Sequence, residues 1–155
     1  MDPLLLTSEQ KKLIDRALPA IAKELPAVVT EFYAWTKGDP MLSAMISKSG
    51  RPIDELARKQ SEHWMALLRN GPDEAFRQRA AIIGKVHHKI GLTPHWYMAG
   101  YAFILQRLNQ LIGRRHRFSG ADTAQLISAV TMVLMFDMQA AISVYAESSA
   151  GAQAG

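Results

Sequence analysis

The sequence predicts an all-α fold in a single domain, and three observations carry that expectation. Apolar residues recur at three- and four-residue steps along almost the whole chain, the spacing that returns side chains to one face of a helix. No run of alternating β-branched residues bounded by turns is found. The periodic stretches are separated by short breakers such as Lys37-Gly38-Asp39-Pro40 and Asn70-Gly71-Pro72, which stop one helix and restart the next. Composition agrees, because 155 residues at 48% apolar and 21% charged describe one compact domain and not a disordered chain.

Thr7-Ser8-Glu9-Gln10 offers a capping box, and Ile14, Leu18, Ile21 and Leu25 form the stripe of a first helix. Pro26 can open a second helix that carries Val29, Phe32, Tyr33 and Trp35 and ends at the breaker at 37–40. A short piece follows at 41–46. Pro52 is well placed as the first residue of a helix reaching about Asn70, with Ile53, Leu56, Gln60, Trp64 and Leu67 on its inner side. The next helix covers 73–90 and is stopped by Gly91, and Thr93-Pro94 opens another that runs to Gly113. A last helix starts near Ser119 and reaches about Tyr145. The small residues that close the chain make 147–155 a frayed tail or the start of a linker. No internal repeat or domain boundary interrupts 1–155.

Several function classes are excluded or disfavoured at once. The chain has no cysteine, which removes disulfides, thiolate metal sites and a cysteine nucleophile. A formal charge of +4 is mild for a nucleic-acid footprint. The basic cluster Arg114-Arg115-His116-Arg117 falls at a helix end, where cations offset the macrodipole and cap carbonyls. The longest apolar stretch, 129–142, is broken by Thr131, Asp137 and Gln139 and falls short of the roughly 18 residues of a membrane span, so membrane insertion is not expected. The acidic start Met-Asp-Pro is unlike a signal peptide, and the expected location is cytoplasmic.

Without cysteine, the five histidines, His63, His87, His88, His95 and His116, are where metal chemistry would reside. His87 is the one on a clear apolar stripe, with Phe76, Ala80, Ile83 and Ile90. A buried imidazole needs a partner for each nitrogen. Backbone could satisfy it, or a haem iron on one nitrogen and a carbonyl on the other. His63 lies one position off its stripe, which suits helix packing or the surface better than a distal ligand. No Glu-x-x-His, His-Glu-x-x-His, Gly-x-Ser-x-Gly or phosphate-binding loop is present.

The segment Val86-His87-His88-Lys89-Ile90-Gly91-Leu92-Thr93-Pro94-His95-Trp96-Tyr97 resembles the signature of the sensor globins, the haem domains of globin-coupled sensors: His-x-x-Ile-Gly-Leu-x-Pro-x-Trp-Tyr. The pair Phe32-Tyr33 and the run from Leu56 to His63-Trp64 extend the likeness. The resemblance implies a globin fold of about seven helices around one pocket for haem b, with His87 as iron ligand. It implies Tyr33 as hydrogen-bond donor to O₂ and Leu56 as distal wall. It makes Phe32, Ile83, Val86, Ile90, Leu92, Trp96 and Tyr97 pocket residues. Lys59 and Gln60 depart from the small or apolar residue that family usually has near the ligand. Gln60, on the inner stripe, could be a second donor, while Lys59 could reach a propionate or solvent.

The last two helices are apolar nearly all round, from Tyr97, Tyr101, Ile104 and Leu108 to Val130, Met132, Val133, Met135 and Met138. A helix hydrophobic on every side needs cover on every side, and the resemblance implies a homodimer through these two helices. It further implies reversible binding of O₂, CO or NO and an output module elsewhere, such as a diguanylate cyclase or a chemotaxis transducer, with no enzymatic activity in this chain. The rival readings are a haem-free interaction module and a globin that turns over NO with O₂.

Overall fold

The computed structural model describes residues 6–114 and 118–152, with side chains described as far as Glu147. Among the described residues six helices follow one another: α1 Ser8–Lys37, α2 Pro40–Lys48, α3 Ile53–Asn70, α4 Glu74–Lys89, α5 Pro94–Gly113 and α6 Gly120–Ala152. No strand occurs among the described residues. Arg115, His116, Arg117 and residues 1–5 and 153–155 lie outside the description.

The helix starts follow their capping chemistry. Thr7 Oγ1 accepts from Gln10 N at 3.1 Å while Gln10 Oε1 accepts from Thr7 N at 3.0 Å, which closes the capping box on α1. Asp39 caps α2 by accepting from Met41 N and Leu42 N, and Asp73 caps α4 by accepting from Phe76 N at 2.7 Å.

Two expectations need correction. The two helices expected on either side of Pro26 are one, so the described residues form six helices instead of about seven. Pro19 and Pro26 both lie inside α1 and both are exposed, and the carbonyls that lose an i+4 donor to them belong to Asp15 and Ala22, which are exposed residues too. The last helix, expected to end near Tyr145, continues to Ala152, since Ala146 and Glu147 are good helix formers and no proline removes a backbone donor before Ala152.

The core is built from Ile14, Ile21, Leu25 and Val29 of α1, Trp64 and Leu67 of α3, Phe76 and Ala80 of α4, Ile104 and Leu108 of α5, and Leu126, Val130, Val133 and Leu134 of α6. By length and by mean hydropathy, which reaches 1.7 over the most apolar 18 residues within Gly120–Glu147, α6 would suffice to cross a membrane. Its face from Leu126 to Val144 is instead packed into this core.

The packing order positions the site. Helix α3 lies on α1, whereas α4 lies on α6, and α3 and α4 do not pack along their lengths. The approach of α4 to α6 is set by Gly84, where an added Cβ would overlap the Ala141 carbonyl and stand 3.0 Å from Ala141 Cα. The two backbones therefore touch one turn before His87.

Candidate functional site

The end of α4 is locked by hydrogen bonds that run through His87. Leu92 N donates to His87 O at 3.0 Å and Gly91 N donates to His88 O at 3.0 Å, with Gly91 at φ +86°. This pair of bonds around a left-handed glycine is a Schellman motif. The Ile-Gly-Leu part of the signature is thus the stop of α4, and Thr93-Pro94 starts α5 three residues after Ile90.

His87 Nδ1 lies 2.8 Å from the Ile83 carbonyl. A carbonyl only accepts, so Nδ1 carries the proton and Nε2 keeps its lone pair. Burial holds the imidazole pKa below its ordinary value, against the opposing pull of the Ile83 carbonyl, so the ring stays neutral as a metal ligand must. Tyr97, itself buried, meets the ring edge-to-face at 5.4 Å and 86°. His88 points the other way and meets Tyr145 of α6 at 4.9 Å.

Around His87 the apolar stripe of α4 passes from core to open. Phe76 and Ala80 are buried and Ile83 is half-buried, but Ile82, Val86 and Ile90 are 61%, 54% and 49% exposed. Three large aliphatic side chains exposed on one helix face make an apolar surface suited to a hydrophobic partner.

On α1, Phe32 and Tyr33 are half-buried and meet edge-to-face at 5.2 Å. Burial raises the Tyr33 hydroxyl to a pKa of about 12, so it is a proton donor at any physiological pH. Leu56 and Gln60 of α3 are half-buried. Lys59 is not brought to them: its ammonium pairs with Glu55 at 3.2 Å on the outer face. Leu92 is half-buried in the turn. Trp96 packs against Trp35 of α1 at 6.2 Å, joining a cluster with Phe32 and Phe103, whereas its neighbour Tyr97 takes the place beside His87.

Sequence reasoning missed one group. Asp137 is 1% exposed, accepts the Tyr101 hydroxyl at 2.6 Å and faces His63 Nε2 at 3.1 Å. A lone carboxylate inside the apolar run 129–142 was the available signal, since a buried charge must find partners.

Among the described residues no cluster of three or more His, Asp or Glu is placed to hold a bare metal ion. His87 alone, with its oriented lone pair and exposed aliphatic neighbours, fits an iron that arrives in a prosthetic group supplying its other ligands. Fold and site together define a globin domain. The globin domain of the Geobacter sulfurreducens globin-coupled sensor has the same fold, with a TM-score of 0.80 at 18% identity over 90% of each chain. The ferric globin domain of E. coli DosC gives 0.73 at 17% identity over 85% of this chain and 89% of that one. The chain belongs to the Protoglobin family, which it matches over residues 1–150, and membership of a globin family implies haem binding. It is also similar to the heme-based aerotactic transducer HemAT of Halobacterium salinarum, with 26% identity over 151 residues. That match covers 88% of this chain and 31% of HemAT, so the chain spans about a third of that relative's length.

Proposed function

We propose that this chain is a gas-sensing domain that holds haem b through His87, responds to O₂ and also to CO and NO, and signals as a homodimer in the cytoplasm to an output module. The observation that carries the reading is His87, with Nδ1 fixed on the Ile83 carbonyl and Nε2 left as the ligating nitrogen, on a helix end where Val86 and Ile90 are exposed. When bound, haem would supply an iron able to take up a diatomic gas. Ile83, Val86, Ile90 and Leu92 would give the porphyrin its apolar cover beside His87, and Phe32, Leu56 and Gln60 would line it from α1 and α3. Tyr33 holds its proton and donates to a polar ligand, which favours O₂ over CO. Lys59, committed to Glu55, leaves Gln60 as the nearer second donor.

The backbone contact of Gly84 with Ala141 carries a shift of the His87 end of α4 directly into α6. Helix α6 also presents the exposed Met135, and there a second copy would sit. The length that HemAT has beyond the matched region is where a transducer or cyclase output would lie in a longer protein of this kind.

The deciding experiment is an absorption spectrum of the purified chain, reduced under argon and then exposed to O₂, beside His87→Ala and Tyr33→Phe. We expect a five-coordinate high-spin reduced spectrum that converts to a stable oxygenated one, lost in His87→Ala. No Soret band after haem is supplied, or a native band that survives in His87→Ala, would end this reading in favour of a haem-free helical interaction module.

A further inference from the structure

Three helices converge on the carboxylate of Asp137. Tyr101 of α5 donates its hydroxyl to Oδ2 at 2.6 Å. His63 of α3 places Nε2 3.1 Å from both oxygens, with its side chain only 11% exposed. Its ring also lies 4.8 Å from Phe76 at the start of α4. Desolvating a carboxylate is costly, and an apolar side chain of similar volume often holds such a contact as well or better. Packing alone therefore gives no reason for an acid here.

The partners of the carboxylate lead back to the site. The Tyr101 ring stacks on Tyr97 at 5.3 Å and 29°, and Tyr97 in turn meets His87 edge-to-face at 5.4 Å and 86°. The Ile83 carbonyl fixes His87 at one atom, Nδ1. One hydrogen bond leaves the ring plane free to swing about that contact, and a second, rigid neighbour is needed to set it.

We propose that Asp137 is a positioning residue for His87: its carboxylate fixes the Tyr101 hydroxyl, Tyr101 fixes the plane of Tyr97, and Tyr97 fixes the plane of the imidazole. This inference rests on the reading of His87 as the haem ligand. Because His63 grips the same carboxylate, a movement of α3 on the gas side and a rotation of His87 on the opposite side converge on one atom group in α6. The relay is thereby a second path into α6, separate from the Gly84 backbone contact.

The test is the iron–histidine stretching band in the resonance Raman spectrum of the reduced, unliganded full chain, measured for Asp137→Asn, Tyr101→Phe and His63→Gln. We expect the band to shift in the same direction in the first two variants and less in the third, with haem content and far-ultraviolet dichroism unchanged. Bands at the wild-type position in folded Asp137→Asn and Tyr101→Phe would reduce Asp137 to a structural pair and overturn the proposal. Should Asp137→Asn fail to fold, Tyr101→Phe, which deletes one hydroxyl, decides alone. If the wild-type chain takes up no haem, the ligand reading has failed, and the ring-nitrogen NMR signals of His87 in the same variants decide the relay: moved signals support it and unmoved ones overturn it.

Discussion

Tyr33 keeps its proton because a phenolate at its place on α1 would lose most of its water. Burial lifts its pKa from the ordinary 10.0 to about 12. In the unfolded chain it ionises near the ordinary value, so below that pH both states are protonated and Tyr33 leaves stability unchanged. As the pH rises further, the unfolded chain sheds the proton first and gains, and stability falls until the folded pKa is reached. Urea unfolding followed across that alkaline window should therefore show a decline that is shallower in Tyr33→Phe, with Tyr97, Tyr101 and Tyr145, whose pKa values burial also raises, contributing to the rest. An unaltered decline in the variant would mean that the hydroxyl is solvated. At neutral pH the same substitution removes a donor and little volume. A hydrogen bond to a charged acceptor contributes about 1.5–3 kcal/mol, which corresponds to O₂ release faster by roughly 10- to 100-fold in stopped-flow mixing, with CO binding little changed.

His87 was legible in the sequence for a reason that differs from that of its neighbours. Its apolar stripe and its place three residues before Ile90-Gly91 were both visible, and the structure turns the second into a Schellman stop. Asp137 was hidden, because helical periodicity sorts side chains by face and does not say which polar group on another helix will meet them. His63 and Tyr101 lie 74 and 36 residues away in the chain. Lys59 and Gln60 stayed ambiguous until the Glu55 partner one turn earlier was seen to hold Lys59 outside.

Among the elements, capping chemistry was read more reliably than continuity. Thr7, Asp73 and the Thr93-Pro94 pair mark helix starts as expected. Pro26 does not, since an exposed proline can be absorbed as an internal position of a long helix that is held by its buried stripe. The contact between α4 and α6 was equally invisible, for a glycine inside a helix says nothing about what lies against it. Gly84→Ala would gain about 1 kcal/mol of helix propensity. Against this, the new methyl meets the Ala141 backbone, which cannot rotate aside as a side chain could, and such overpacking costs about 1–3 kcal/mol. The expected outcome is net destabilisation, seen as a lower urea midpoint at unchanged slope, together with weaker haem retention as the His87 turn is displaced. Gly113→Ala, whose methyl would meet nothing within 4 Å, is the control and should be neutral or mildly stabilising. If both variants behave alike, the close approach of α4 to α6 is not what positions His87.

For the whole molecule the decisive feature is the second face of α6. Leu126, Val130, Val133, Asp137, Ala141 and Val144 are turned into the core, and the opposite side carries Ser128, Met132, Met135, Met138 and Ile142, half-buried or exposed. Steps of four, three, three and four along that side keep it on one line, the spacing of a helix-to-helix seam. Met135 is 45% exposed there and Met98 on α5 is 46% exposed, and flexible methionines suit an interface that must repack between two states. A lysine at position 135 would change the stability of the single chain by no more than about 0.5 kcal/mol, as surface substitutions do, while at a dimer seam it would bury a charge without a partner. Sedimentation velocity at micromolar concentration should therefore show a dimer for the wild-type chain and a monomer for Met135→Lys, with the same haem spectrum in both. A dimer that survives the lysine at equal strength would place the interface elsewhere, and a wild-type monomer at every concentration would leave the Gly84 and Asp137 paths into α6 with no second copy to act upon.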